Sequence, residues 1–229
     1  MDPKDASFGD LLPEERPSVI QAADRRVREF AAGRSLSRRL IRRRLPGFAG
    51  PIRQGAAGEP VWPRGVLGSI SHTTGRVVAA VASSREYLGI GIDVEPAAPL
   101  PDGVLENVAS AREIPQLSRS RIRVADRVLF SAKESIFKAQ YSFAGAPLAF
   151  EDVEVVVDDE GTFVGSLVGA VGDLRVGHRF AGRWHIAEGL IMSAVVVPVG
   201  THRTSVNRAR FAGVQPLRGC PMVGPRSIS

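Results

Sequence analysis

The sequence predicts an α+β fold on two observations: a long helix-like stretch precedes a set of short β-rich runs, and this succession occurs twice along the chain. The first helical stretch covers residues 18–45, where Ser18 would cap the start, Gly33 would permit a bend and Pro46-Gly47 would stop it. Residues 66–71, 76–82 and 87–94 read as strands rich in β-branched side chains, separated by turns at Thr73-Thr74-Gly75 and Ser83-Ser84-Arg85. Residues 96–103 read as a loop, and Asp126 would cap a second helix reaching about Tyr141. Strands are then expected at 151–157, 162–168, 174–180, 183–187 and 190–197, with a turn at Asp158-Asp159-Glu160-Gly161. This organisation divides the chain into a loose lead-in (1–17), an N-terminal half (18–122), a C-terminal half (123–200) and a basic tail (201–229). The tail, rich in Arg, Pro and Gly, has the composition of a mobile segment.

A chain of 229 residues can bury a full core. Its acidic, Pro-containing start lacks the apolar segment of a secretion signal. The longest apolar stretch, at 190–199, is interrupted by Ser193 and Pro198 and is too short to span a bilayer. One cysteine, Cys220, allows no internal disulfide, and a structural zinc site has no support. A cytoplasmic monomer with no membrane partner is expected. The net charge of +6 is unevenly spread. The tail holds five arginines and no acid, and residues 25–44 hold nine arginines against Glu29. Basicity confined to one helix and one tail suits a small anionic ligand as well as a polymer, so no nucleic-acid partner is expected, and a basic nucleic-acid-binding module stands as the alternative.

Two separated segments carry the chemistry. In Gly91-Ile92-Asp93-Val94-Glu95, strand alternation points both carboxylates to one face. In the second segment, residues 130–138 (FSAKESIFK), Glu134 and Lys138 are four apart and share a helix face. Three carboxylates and two lysines suit one hard cation and one phosphate transfer, because magnesium takes oxygen ligands and bridges carboxylates to phosphate. Each piece alone has a plainer meaning. A strand-end acidic pair is usually solvated, and a Glu four residues before a Lys is a helix salt bridge worth about 0.2–0.5 kcal/mol.

Together and in this order, the two segments resemble the signature of the 4′-phosphopantetheinyl transferase superfamily: a G-I-D-x-E strand, then F-S-x-K-E-x-x-x-K some tens of residues later. The resemblance extends through Phe30-Ala31-Ala32-Gly33-Arg34 with Arg38 and Arg42, then Gly58-Glu59-Pro60-Val61-Trp62-Pro63 and Gly68-Ser69-Ile70-Ser71-His72. With Leu100-Pro101-Asp102-Gly103-Val104-Leu105, these look like the enterobactin-synthetase-component-D branch in its actinobacterial form. The family implies two pseudo-symmetric α+β halves, each an antiparallel sheet with a long helix, and a substrate cleft between them. It implies transfer of the phosphopantetheine arm of coenzyme A to a serine of an acyl or peptidyl carrier protein, releasing adenosine 3′,5′-bisphosphate. An inactive family member would carry the same motifs.

By the same resemblance, Asp93, Glu95 and Glu134 would hold Mg2+ or Mn2+ on the pyrophosphate. Glu134 would take the serine proton, and Lys138 would stabilise or protonate the departing phosphate. Arg34 and Arg42 match positions that bind coenzyme A phosphates, His72 matches a 3′-phosphate contact beside Ser71, and Lys133 would reach a phosphate from near the helix start. Without the family, Arg34, Arg38 and Arg42 at i, i+4 and i+8 read as a solvated face. Two departures stand out. A basic loop position is Gln54 here, with Arg53 adjacent, and Gln140-Tyr141 replaces an expected aromatic before a shortened 142–148 segment. Trp62 reads as packing beneath the 68–72 segment. Other motifs fail: Gly89-Ile90-Gly91 lacks the third glycine and helix of a dinucleotide site, and residues 65–69 lack the Gly-Lys of a P-loop. A Ser71–His72–Asp93 triad would need adjacent strand residues to face each other.

Overall fold

The computed structural model describes residues 1–200. Two long helices, each followed by strands, organise it: α1 (Asp24–Arg44) leads into β1 (Val66–Thr73), β2 (Arg76–Ser83) and β3 (Tyr87–Pro96). After the short helices α2 (Leu105–Val108) and α3 (Ile114–Leu117), α4 (Ala125–Ala144) leads into β4 (Val153–Val157), β5 (Thr162–Leu167), β6 (Arg179–Ala187) and β7 (Leu190–Pro198). All pairings are antiparallel: β1 and β2 form a hairpin, and five strands run in the order β3-β7-β6-β5-β4. Although β3 follows the first helix in sequence, it pairs along its length with β7, so the two halves share a strand at their boundary. The tail 201–229, with Cys220, lies outside the described residues.

β1 lies against β3 without a backbone ladder. The N–H of Ile92 donates to Oγ of Ser69 at 3.0 Å, and the N–H of Val94 donates to Oγ of Ser71 at 3.3 Å. Serines at alternate positions of β1 thus satisfy donors that would otherwise be stranded between the sheets. The β3–α4 contact is set by glycine. A Cβ on Gly89 would strike the carbonyl oxygen of Ala139, and one on Gly91 would strike that of Ser135. The helix therefore rides on bare backbone, closer than any side chain would allow. On its apolar side α4 buries Leu129, Ala132, Ile136 and Ala139 against Phe163, Leu167, Phe180 and Val195. Each large apolar side chain so buried contributes about 1.5–3 kcal/mol.

Several local expectations change. The 1–17 segment is packed: its Ala6 and Leu11 join Val19, Phe30, Ala31, Ala32 and Val77 in a core, and the Met1 ammonium donates to Val77 O at 3.1 Å. The helix begins at Asp24, not Ser18, because Arg16–Val19 forms a separate tight turn first. Gly33 lies inside the unbroken α1 and faces Ile70, admitting β1 closely. Asp126 accepts from Leu100 N at 2.7 Å, 26 residues back, and so ties a loop instead of capping α4. Residues 174–180 and 183–187 are not two strands. Gly172 and Gly177 hold positive φ, and one strand starts at Arg179.

Candidate active site

A cavity of about 250 Å³ lies between β1, β3 and α4, lined by Ser71, His72, Asp93, Glu95, Glu134 and Lys138 with Ile70 and Phe130. The glycine contacts explain why these residues meet. Positions 89, 91, 93 and 95 of β3 share the face turned to α4, and once glycine at 89 and 91 lets the helix settle, the next two positions present carboxylates to it. On α4, residues 127, 134 and 138 fall at i, i+7 and i+11, one stripe of the helix.

Asp93 is the best-held member, 3% exposed. Its Oδ1 accepts from Ser71 Oγ at 2.8 Å and from Lys138 Nζ at 2.6 Å, and its Oδ2 is buried without a partner. Lys138 Nζ also lies 3.2 Å from Ser71 Oγ and 4.0 Å from Glu134 Oε2. Burial pushes the Glu134 carboxyl above the usual carboxylate range; Lys138 opposes the shift and Asp93 adds to it. Burial and the Asp93 charge likewise raise Glu95, against the pull of Arg127. His72 Nε2 lies 3.0 Å from a guanidinium nitrogen of Arg26, and Nδ1 lies 3.5 Å from Glu29 Oε2. Its pKa is lowered by burial, which outweighs the opposing Glu29 charge. With Ser71 turned to Asp93 and the imidazole turned to Arg26 and Glu29, these residues make no Ser–His relay.

Magnesium suits the donor chemistry here. Three carboxylates line one cavity, and an orphaned buried oxygen on Asp93 asks for a positive partner. The oxygens are not gathered into a ready cage, however, since Lys138 and Arg127 hold Asp93 and Glu95. Among the described residues no three acidic, His or Cys groups stand close enough together to bind an ion unaided.

The remaining candidates sit elsewhere. Lys133 is corrected: it is mid-helix, 1% exposed, and its ammonium spends all three protons on Val108 O (2.7 Å), Glu113 (2.8 Å) and Phe150 O (2.9 Å). It has no donor left for a coenzyme phosphate. The arginine row is not a solvated face. Arg38 is buried in an ion pair with Glu15, and Arg34 is 4% exposed, donating from Nε to Ile52 O at 2.7 Å and stacking 4.1 Å over Phe30. Burial lowers the Arg34 pKa to about 10. Arg42 is exposed, with Nε donating to Phe48 O, and Arg53 is exposed beside Gln54, whose amide donates to Gly58 O. None of Arg34, Arg42, Arg53, Gln54 or Lys133 lines the cavity. Trp62 packs directly over Gly68, and Gln140 is fully buried, donating to Ala146 O to hold the chain after α4.

Two arginines that touch the site escape a reading of motifs. Arg127 reaches Glu95 from 32 residues away, and Arg26 reaches His72 across 46. The helical spacing of Arg127 to Glu134 and Lys138 was the available signal for the first.

Residues 14–82 match the model of the 4′-phosphopantetheinyl transferase N-terminal domain, and residues 89–191 match that of the 4′-phosphopantetheinyl transferase superfamily. The chain is 42% identical over 210 residues to the 4′-phosphopantetheinyl transferase Svp of Streptomyces mobaraensis, covering 87% of this chain and 84% of that protein. It is 36% identical over 197 residues to the 4′-phosphopantetheinyl transferase Npt of Nocardia iowensis (80% and 87% covered). Enterobactin synthase component D of Salmonella typhi is 31% identical over 141 residues, covering 57% of this chain and 55% of that protein. Matches on both sides of the cavity, with a relative this similar over most of both chains, establish that the chain belongs to the 4′-phosphopantetheinyl transferase superfamily.

Proposed function

We propose that the cavity between β1, β3 and α4 is where a carrier-protein serine meets the pyrophosphate of coenzyme A, and that the transfer requires a divalent ion, magnesium first. The chain acts as a 4′-phosphopantetheinyl transferase: the serine oxygen bonds to the phosphorus bearing the pantetheine arm, and the bond to adenosine 3′,5′-bisphosphate breaks. The observation that supports the placement best is Asp93, pinned through one oxygen by Ser71 and Lys138 while the other is buried and unpartnered. Bound by Asp93, Glu95 and Glu134, the ion would supply charge neutralisation on the pyrophosphate.

The chain's own residues supply the rest. Glu134 accepts the serine proton at its carboxylate, and burial makes it a stronger base than an ordinary glutamate. Lys138, one helical turn further on, carries a positive charge at the wall where negative charge builds on the leaving phosphate. Arg26, with the His72 imidazole beside it, stands at the cavity's edge, suited to a further phosphate of the coenzyme. Acyl or peptidyl carrier proteins are the proposed acceptors, and a soluble monomer is the proposed working form.

An apo carrier protein incubated with coenzyme A, the enzyme and Mg2+ tests the reading by intact-mass spectrometry. A gain equal to one phosphopantetheine, on serine, lost with a chelator and restored by Mg2+, is expected. Chelator-insensitive transfer would reject the metal requirement, and no gain on any carrier would reject the activity.

A further inference from the structure

Arg127 spends every edge of its guanidinium on one small region. One terminal nitrogen donates to Glu95 Oε2 at 2.9 Å, Nε donates to Ala98 O at 3.1 Å, and the other terminal nitrogen donates to Pro99 O at 2.8 Å. Its side chain is 14% exposed and that of Glu95 18%. The residue before it, Asp126, accepts from Leu100 N at 2.7 Å. The first turn of α4 therefore grips Glu95 and the loop that follows it at four points, while the same helix presents Glu134 and Lys138 to Asp93 two turns later. A planar fork with three fixed bonds leaves Glu95 little freedom to rotate; a flexible ammonium would not give the same restraint. With Oε2 committed to Arg127, Oε1 is the oxygen of Glu95 left for a ligand in the cavity it lines.

We propose that Arg127 is a positioning residue that fixes Glu95 as a one-oxygen ligand, and so sets the divalent-ion affinity of the site. This rests on the metal reading given above. The geometry and simple electrostatics predict opposite results, which makes the role testable. Removing a cation next to an acidic site would tighten metal binding if charge alone mattered. Losing an outer partner that orients a ligand weakens it, typically by about 10–100-fold.

The experiment is Mn2+ binding to the full chain, followed by the loss of the free-ion paramagnetic resonance signal without coenzyme A or carrier protein, for wild type, Arg127→Ala, Arg127→Lys, Glu95→Gln and the double variant Glu95→Gln/Arg127→Ala. Expected are a rise in Kd of about tenfold or more for Arg127→Ala, a smaller rise for Arg127→Lys, and no further rise when Arg127→Ala is added to Glu95→Gln. In transfer assays the Mg2+ concentration for half-maximal rate should rise with the Mn2+ Kd, more than the rate at saturating metal falls. Thermal melts identify any variant that does not fold; Arg127→Lys then carries the test. Unchanged or tighter binding in Arg127→Ala, or full additivity with Glu95→Gln, overturns the positioning role while leaving the metal site standing. Wild-type protein that binds no Mn2+ overturns the metal reading itself, and the role of Arg127 with it.

Discussion

The ammonium of Lys138 lies 2.6 Å from Oδ1 of Asp93, joining the last turns of α4 to the strand that carries two of the site's three carboxylates. Lys133, five residues earlier on the same helix, points to the opposite side and is sealed against Glu113. Two lysines of one motif therefore serve different ends, and their variants should separate.

Lys133→Met is expected to destabilise the fold by about 3–5 kcal/mol, because it strands a buried carboxylate on Glu113. Lys138→Met also takes a partner from buried Asp93, but Lys138 is 24% exposed and Ser71 still donates to that carboxylate, so the variant should lose less stability than Lys133→Met and abolish transfer. Thermal denaturation and transfer rates on the two variants check this. A fully stable Lys133→Met with impaired coenzyme affinity would restore the phosphate role to Lys133.

The raised pKa of Glu134 has a consequence for stability. Its carboxyl is pushed up in the fold by burial, so the folded state binds a proton more readily than the unfolded chain. Stability contributed by this group is therefore present at low pH and is lost as pH rises from the ordinary carboxylate value through the raised one. In chelator-containing buffer at neutral pH, Glu134→Gln should melt higher than wild type, with the difference shrinking as pH falls. It should also lose transfer activity. A lower melting temperature for Glu134→Gln at neutral pH would contradict this account.

Arg34 and Arg42, two turns apart on α1, should also part company. Arg34→Ala leaves the buried Ile52 carbonyl without its donor and should cost about 1–3 kcal/mol of stability. Arg42→Ala, at an exposed position, should leave stability within about 0.5 kcal/mol. If the family position of Arg42 holds a coenzyme phosphate, its variant should weaken coenzyme A binding by about 1.5–3 kcal/mol in calorimetric titration. Unchanged affinity would remove Arg42 from the coenzyme site.

The glycines of β3 make a purely steric prediction. Gly91→Ala should force α4 away from the strand, since its Cβ would meet the Ser135 carbonyl, a fixed backbone atom. Loss of stability together with loss of transfer is expected, and a fully active, equally stable Gly91→Ala would show that the close helix contact is dispensable.

What the sequence made legible were features set by local periodicity. Alternation along β3 and four-residue spacing on α4 were enough to group Asp93 with Glu95 and Glu134 with Lys138, and the family signature joined the pairs. Burial depends on what packs from elsewhere. The arginine row on α1 has helical spacing compatible with solvent, yet Glu15 and the Ile52 backbone arrive from outside the helix to bury Arg34 and Arg38. Lys133 gave no local hint that Val108, Glu113 and Phe150 would surround it. Residues 174–180 alternate like a strand, but glycines of positive φ at 172 and 177 turn the backbone there, and Val176 is left 64% exposed. The lead-in is short and mostly polar, and its packing is decided by Phe30, Ala31, Ala32 and Val77, which meet Ala6 and Leu11 from elsewhere in the chain.

Asp93→Asn tests the central claim most directly, because it removes the charge while keeping an oxygen to accept from Ser71. The measurement is the rate of phosphopantetheine addition to an apo carrier protein by intact mass, at saturating coenzyme A and Mg2+, alongside a melt of the same sample. The account predicts a folded protein with no detectable transfer. A folded Asp93→Asn that transfers the arm at a rate near wild type would contradict it.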